Sequence, residues 1–249
     1  MSGPGDAVLL LDAGNRRLKT GRWTPGGGLV AGPVLALEED WEEALRRAGC
    51  PRPWPGRVWV SCTRPELRGR LEALAPGAVS FAGEGGWPFP VRSRGTGSDR
   101  ILAARAAWLR TRRGGRARPV AVADLGSAWT LDLMDVSGAF LGGAIGPGLG
   151  AQEEALARAT PHLPAPAPDP VPPGPPDATA AALAAGTRGA LAAALEALLA
   201  AWEPFLGEEP ARFLTGGDAE RLQAWLRRPW FRARGLVLEG LAALAADAA

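Results

Sequence analysis

The fold is decided by residues 9–19, which read LLLDAGNRRLK. An apolar run that ends in Asp12-Ala13-Gly14-Asn15 predicts a buried strand followed by a tight turn. Leu18–Trp23 then supplies the returning strand of a hairpin. The same pattern recurs 112 residues later as AVADLGSAWTL, at residues 121–131. Chance can place two Asp-x-Gly turns in one chain, but two copies at the ends of comparable apolar strands predict two similar lobes.

Strands and helices alternate around the two hairpins, which indicates an α/β fold. The second hairpin continues into a third strand and forms a meander. We place the lobe boundary after residue 115, which gives lobes at 1–115 and 116–249. The pattern also predicts short strands at Val58–Val60, Val79–Phe81, Leu131–Met134, Ala139–Ile145, Phe213-Leu214 and Leu236–Leu238, helices at Glu38–Ala48, Ile101–Arg113 and Asp177–Trp202 and after Leu238, and a proline-rich surface loop at Pro161–Pro176.

The composition disfavours several classes of protein. A net charge of +2 is too small to indicate a nucleic-acid partner, and the arginines at 110–118 fit a solvated helix end. We find no apolar run long enough for a bilayer and no signal sequence, so we expect a cytoplasmic protein without a membrane partner. Cys50 and Cys62 form no CxxC pattern, which agrees with a reducing compartment. With His162 as the only histidine, a histidine-based zinc site and a Ser-His-Asp triad are disfavoured.

The chain contains one lysine, Lys19, and one asparagine, Asn15, and both lie in the first hairpin. Every other long cationic side chain is arginine. Lysine presents a compact charge that a planar guanidinium cannot reproduce at a phosphate. A single lysine can survive by chance, but its place beside the only asparagine favours a chemical role.

Glycine-rich turns follow three predicted strands, at Asp12–Asn15, Asp124–Ser127 and Thr215–Asp218. Glycine lets backbone amides approach an anion closely. A carboxylate at such a turn can hold a cation or its water shell, which in turn meets phosphate oxygens. Lys19 can then neutralise phosphate directly. An aspartate and glycine at a strand end usually have a structural role. Three such turns together with the unique lysine nevertheless favour phosphate chemistry. The absence of GxxxxGK[ST] excludes a P-loop.

The segment Gly97-Ser98-Asp99-Arg100 offers a base and a cation side by side. Asp99 precedes the apolar stripe of a predicted helix, so it can be a simple N-cap. Alternatively, Asp99 is a general base for a substrate hydroxyl, and Arg100 binds an anionic group of that substrate. Phosphoryl transfer needs this combination of a base near the hydroxyl and cations near the phosphates.

These motifs together resemble a known family. DAGNRRLK, GSDR, DLGSAWTLD, GGAIGPGL, TGGD and LVLEGL follow the order and approximate spacing of the type III pantothenate kinases, over residues 8 to 243. That family belongs to the acetate kinase, sugar kinase, Hsp70 and actin superfamily. The resemblance implies two ribonuclease-H-like lobes with mixed sheets flanked by helices, ATP between them, and a homodimer. It also implies ATP-dependent phosphorylation of pantothenate to 4'-phosphopantothenate, the first step of coenzyme A synthesis, with magnesium and with potassium or ammonium as cofactors.

The resemblance assigns roles to individual residues. Asp99 would be the catalytic base, Asp124 would hold the monovalent cation, and Ser127 would contact ATP. Thr179 would contact pantothenate, although it can also be a plain helix-start residue. The nucleotide-binding positions of the first motif would be Asp12, Ala13, Gly14, Asn15, Arg16, Arg17, Leu18 and Lys19, and the pantothenate-binding positions would be Phe89, Gly97, Ser98, Asp99, Arg100 and Thr179.

Three departures from the family pattern stand out. The family usually has threonine where Arg16 and Ser127 stand, and the hydroxyl survives only at Ser127. Many members carry a tyrosine before the GxDR segment, whereas this chain has none, and Phe89 would fill that volume. These changes leave two alternatives to an active pantothenate kinase: a nucleotide-binding regulatory homologue, and a kinase for another small hydroxy acid.

Overall fold

The computed structural model describes residues 7–50, 54, 56–168 and 174–248, which form two compact units. One unit comprises the chain up to Arg110 together with the segment from Gly235 onward. The other unit runs from Thr111 to Arg234. The sequence placed all of 116–249 in one lobe, and the difference lies in the last helix, which packs against the first sheet.

The first unit is built on a five-stranded mixed sheet with the strand order β3-β2-β1-β4-β5. The first three strands form an antiparallel meander, and β4 and β5 continue the sheet in parallel with β1. The elements are β1 (Val8–Ala13), β2 (Arg17–Thr24), β3 (Gly28–Ala36), α1 (Trp41–Arg47), β4 (Val58–Cys62), α2 (Arg68–Leu74), β5 (Val79–Phe81) and α3 (Ser98–Arg113).

The second unit repeats this topology, with the strand order β10-β9-β6-β7-β8. An antiparallel meander is again followed by two parallel strands. The repeat that the sequence predicted from two hairpins therefore extends to the whole sheet, and the predicted ribonuclease-H-like α/β class is confirmed. The elements are β6 (Val120–Leu125), β7 (Ala128–Met134), β8 (Phe140–Pro147), α4 (Leu149–Ala159), α5 (Thr179–Ala184), a π-helical turn (Ala185–Gly189), α6 (Ala190–Trp202), β9 (Ala211–Thr215), α7 (Ala219–Gln223) and β10 (Phe231–Arg232).

The first strand of each unit contributes alternate side chains to the hydrophobic core of that unit. In the first unit, Leu9 and Leu11 on β1 pack in one cluster with Trp41 of α1 and Leu71 of α2. In the second unit, alternate residues of β6 pack with leucines of α6 and α7. Because successive side chains of a strand point to opposite faces, this alternation fixes which face of each sheet meets these helices.

The segment from Thr179 to Leu206 is long and apolar enough to cross a membrane by length and composition alone. The expectation of no such run is therefore wrong. Core helices of soluble proteins pass the same test, and Leu191, Leu195 and Leu199 of α6 are buried against the second sheet. The predicted helix from Asp177 to Trp202 is present, but it begins at Thr179 and contains a π-helical turn.

The predicted strand at Leu236–Leu238 is wrong, because these residues form the first turn of α8 (Leu236–Asp247). Gly235 precedes the helix in the left-handed region, with φ of 75°. Helix α8 packs against β1, β2 and β4 of the first unit. Arg110 of α3 binds Glu239 of α8, with Nε donating to Oε2 at 2.9 Å, so this arginine is not simply solvated as predicted.

Gly240 allows α8 to lie directly on α3. A Cβ at Gly240 would stand 2.4 Å from the backbone oxygen of Leu102. We expect Gly240→Ala to destabilise the protein by about 1–3 kcal/mol, since overpacking a tight contact shifts the backbone. Gly69→Ala on the exposed face of α2, where a Cβ would meet nothing within 4 Å, should instead stabilise by up to about 1 kcal/mol. Urea denaturation of both variants tests this, and equal midpoints would contradict it.

Candidate functional site

The first hairpin places Lys19 directly opposite Asp12 on the neighbouring strand. Its turn is closed by the N–H of Gly14, which donates to the oxygen of Arg17 at 3.1 Å. Lys19 Nζ donates to Asp12 Oδ2 at 3.1 Å. The Asp12 side chain is 4% exposed, whereas the Lys19 side chain is 48% exposed. The ammonium therefore compensates a buried carboxylate while it remains accessible to an anion from solvent.

The remaining residues of the first motif divide by burial. Ala13 and Leu18 are paired across the hairpin and are buried, so they contribute packing. Asn15, Arg16 and Arg17 are exposed at the tip. Arg16, which stands where the family usually has threonine, therefore does not disturb the core.

Ser61 joins the first hairpin to the GSDR segment, and the sequence reasoning missed it. It lies beside Asp12 on the parallel strand β4 and is 1% exposed. Its Oγ is 2.9 Å from Oγ of Ser98, the first residue of α3. The carboxyl ends of parallel strands meet at one edge of a sheet, so the end of the predicted strand Val58–Val60 was the available signal.

Asp99 lies within the first turn of α3, which begins at Ser98, rather than at the predicted N-cap position. Its Oδ1 accepts the N–H of Arg100 at 2.9 Å, and both residues are half-buried. A Cβ at Gly97 would stand 2.6 Å from Oδ1 of Asp99. Glycine at this position therefore leaves room for the carboxylate at the start of the helix.

Phe89 is held by aromatic packing and is 9% exposed. Its ring centroid lies 5.6 Å from that of Trp87. The guanidinium carbon of Arg105 on α3 lies 4.6 Å from the Phe89 ring and 4.7 Å from the Trp108 ring. This cation–π contact fixes the loop before Gly97 to α3.

The second hairpin differs from the first in register. Four residues separate the last pair of the first hairpin, Ala13 and Leu18, but three separate Leu125 and Trp129 in the second. Lys19 therefore corresponds in space to Thr130, which faces Asp124. The fixed sequence offset would have placed Leu131 there instead.

The group facing Asp124 is a hydroxyl whose hydrogen bonding is incomplete. Thr130 is 7% exposed, and its Oγ1 is buried without a hydrogen-bond partner among the described residues. Thr215 of β9 lies beside Asp124 on the other side. Buried polar atoms are nearly always satisfied, so this hydroxyl is available to bind a water or an ion.

Two glycines bring other segments against the second turn. The N–H of Gly148 donates to the oxygen of Ser127 at 3.1 Å, and a Cβ there would stand 2.1 Å from the oxygen of Gly126. Gly216 has φ of +95°, and a Cβ there would stand 2.3 Å from the oxygen of Leu125. The GGAIGPGL motif thus contacts the Gly126-Ser127 turn and the TGGD motif contacts Leu125 just before it, while Thr179 begins α5 and is exposed.

The donors at Asp124 fit a hard cation. In the part of the chain that the structure describes, no three His, Cys, Asp or Glu side chains form a group able to hold a metal ion. A cation at Asp124 would therefore need hydroxyl, carbonyl or water oxygens to complete its shell. Hard cations take oxygen ligands of this kind, and the Thr130 hydroxyl would supply one.

Comparison with known proteins identifies the relatives of this chain. Residues 8–201 match the profile of the family described as type III pantothenate kinase. The type III pantothenate kinase of Alkalilimnicola ehrlichii is 36% identical over 252 residues, covering 96% of this chain and 98% of the relative. That of Paracidovorax citrulli is 32% identical over 255 residues, with coverages of 96% and 98%.

Solved structures share the fold. A conserved Campylobacter jejuni protein assigned to the Baf family of transcriptional activators matches with a TM-score of 0.67 at 18% identity, over 96% of this chain and 98% of that chain. A Chromobacterium violaceum protein described as an N-acetylglucosamine kinase gives a TM-score of 0.52 at 16% identity, with coverages of 98% and 100%. At these identities the similarity shows the fold alone.

We expect Lys19→Met to reduce kcat/KM for ATP by about 100-fold, which is typical of removing one preorganised cationic or hydrogen-bond donor. The melting temperature should also fall, because the Asp12 carboxylate is 4% exposed and loses the ammonium that compensates it, so the kinetics are compared on the folded variant. Arg22→Met, at an exposed position of the same strand, is the control. Unchanged ATP kinetics with a large fall in melting temperature would contradict this role.

Proposed function

Because the chain belongs to the type III pantothenate kinase family, we infer that it catalyses ATP-dependent phosphorylation of pantothenate in coenzyme A biosynthesis. The observation that carries the inference is the link from Asp12 and Lys19 through Ser61 to the start of α3. It supports a phosphate-binding cation and a candidate base at one edge of a single sheet. Phosphoryl transfer is catalysed by such positioning and charge compensation.

The proposed roles follow from the chemistry of each group. Asp99 accepts the proton of the pantothenate hydroxyl as the hydroxyl oxygen attacks the γ-phosphorus of ATP. The bond between the γ-phosphorus and the bridging oxygen breaks, and ADP leaves with its electrons. Arg100 binds the pantothenate carboxylate through a charge-assisted hydrogen bond. Lys19 neutralises phosphate charge. Asp12 would orient magnesium through its water shell, since magnesium is usually held by one or two carboxylates plus substrate phosphates.

A monovalent cation at Asp124 is the second part of the proposal. Its support is the Thr130 hydroxyl, which lies opposite Asp124 and has no hydrogen-bond partner among the described residues. Asp124 and Thr130 would hold potassium or ammonium, which supplies positive charge beside the phosphates. Ser127, at the same turn, would contact ATP.

The two other candidate functions have weaker support. A Baf regulatory role belongs to the Campylobacter protein, whose 18% identity shows the fold alone. A kinase for another hydroxy acid is favoured only by Phe89, whose ring lacks the tyrosine hydroxyl. The proposal also includes a homodimeric state and a cytoplasmic location. Pantothenate would contact Phe89, Gly97, Ser98 and Thr179.

A coupled ADP-release assay with pantothenate tests the function. Turnover with ATP should require pantothenate, and other small hydroxy acids should replace it poorly. ATP binding without turnover would favour the regulatory homologue. Faster turnover with another hydroxy acid would favour the narrower kinase alternative.

Asp99→Asn and Arg100→Ala should separate catalysis from binding. Loss of a general base typically costs about 10²–10⁴-fold in rate, so Asp99→Asn should lower kcat while pantothenate binding remains measurable. Arg100→Ala should raise KM for pantothenate, because a charged hydrogen-bond partner is lost. Steady-state kinetics and isothermal titration with pantothenate distinguish the two. If Asp99→Asn retains near-wild-type kcat, Asp99 is a structural residue.

Potassium should raise the melting temperature and turnover more than sodium at equal ionic strength, since the cation binds the folded state. Thr130→Val, which removes the hydroxyl at nearly constant volume, should reduce the potassium-specific rise in melting temperature. Thr24→Val in the other unit is the control. Equal responses to sodium and potassium, or an unchanged response in Thr130→Val, would contradict the proposed ligand set.

A further inference from the structure

One ion network in the second unit lies outside the residues assigned a role so far. We define the Glu153 network as Glu153 of α4, Arg188 of the π-helical turn, and Arg221 and Asp218 at the start of α7. Arg221 Nη2 donates to both oxygens of Glu153, at 2.7 and 2.8 Å. Arg188 Nη2 donates to Oε1 of Glu153 at 3.2 Å. One carboxylate therefore holds two guanidinium groups.

The Glu153 network is mostly removed from water. The side chain of Arg188 is 6% exposed and that of Glu153 is 19% exposed, while that of Arg221 is 36% exposed. Hydrogen bonding to Glu153 raises the pKa of Arg221. Removing one partner of a desolvated ion pair leaves the other charge uncompensated, so both arginines depend on Glu153 for charge compensation, although Arg188 Nη1 also donates to the oxygen of Ala167 at 2.6 Å.

One arm of the Glu153 network reaches the TGGD turn. Arg221 Nη1 donates to Oδ1 of Asp218 at 3.1 Å. The backbone N–H of Asp218 donates to the oxygen of Leu125, the last residue of β6, at 3.0 Å. Arg221 thus fixes the residue that connects the TGGD turn to the second hairpin.

The other arm is α4 itself. This helix is preceded by Gly148, whose N–H donates to the oxygen of Ser127 at 3.1 Å. Glu153 lies in the same helix, little more than one turn further along. Glu153 therefore links two segments that contact the second hairpin. One is the start of its own helix, where Gly148 binds Ser127, and the other is the TGGD turn, which Glu153 reaches through Arg221.

We propose that Glu153 is a positioning residue for ATP, which sets nucleotide affinity by fixing the backbone around Ser127. The proposal rests on the proposed function, in which ATP binds at this turn. Glu153 is not assigned any contact with the nucleotide. Its effect passes through Arg221 and Asp218 to the end of β6.

Glu153→Gln in the full chain tests the proposal, with Glu154→Gln, at the exposed neighbouring position, as the matched control. A misplacement of about 1 Å in a site can cost about 100-fold, so we expect KM for ATP to rise between about 10- and 100-fold. The dissociation constant for ADP, measured by isothermal titration, should rise in parallel. KM for pantothenate should stay at the control value, and Glu153→Asp should recover part of the ATP affinity.

Arg221→Met keeps the test decisive if Glu153→Gln does not fold, because the Arg221 side chain is partly exposed and its loss should still release Asp218. It should raise KM for ATP in the same way. If the folded variants have the same KM for ATP and the same ADP affinity as Glu154→Gln, the proposal is overturned, even if their melting temperature falls. Absence of pantothenate turnover in the wild type and Glu154→Gln would instead reject the proposed function, while ADP titration would still test Glu153.

Discussion

The cross-strand register of the two Asp-x-Gly hairpins determines which residue faces each aspartate. In the first hairpin the partner is Lys19, whose ammonium binds Asp12 at 3.1 Å. In the second, a turn shorter by one residue brings Thr130 opposite Asp124. The first hairpin therefore supplies a cationic side chain opposite its aspartate. The second places the oxygens of Asp124 and Thr130 on facing strands, which would suit a cation from solvent. A difference of one residue in turn length therefore gives two hairpins of the same topology different groups opposite their aspartates.

Local patterns predicted most of the strands, because apolar runs that end in Asp-x-Gly specify a strand and a turn without help from distant residues. The register of the second hairpin was not predictable in this way, since the offset of 112 residues aligns Lys19 with Leu131, whereas Thr130 is the residue that faces Asp124. Loop closure, not the motif, decides the pairing. Ser61 was also missed, because its importance arises only when β4 lies parallel to β1 and brings it beside Asp12.

The C-terminal segment shows a second limit of local reasoning. Leu236–Leu238 is apolar at three successive positions, which fits a buried strand as well as a buried helical turn. Tertiary packing decides between them: α8 lies on β1, β2 and β4, and Gly240 lets it approach the backbone of α3. The chain thus returns to its first unit at the end, which a division of the sequence into two consecutive lobes does not anticipate.

Arginine at position 16 is compatible with the first hairpin for a reason that burial makes clear. Ala13 and Leu18 close the hairpin and are buried, so a bulky cation at either position would disrupt the core. Arg16 lies at the exposed tip, where a new side chain alters surface charge and leaves the pairing of Asp12 with Lys19 intact. Arginine elsewhere forms bidentate ion pairs, as at Glu239, whereas a single ammonium meets the Asp12 carboxylate at one oxygen. A single lysine in a chain otherwise restricted to arginine therefore fits the geometry of this hairpin, where a compact cation compensates a buried carboxylate and remains accessible to solvent.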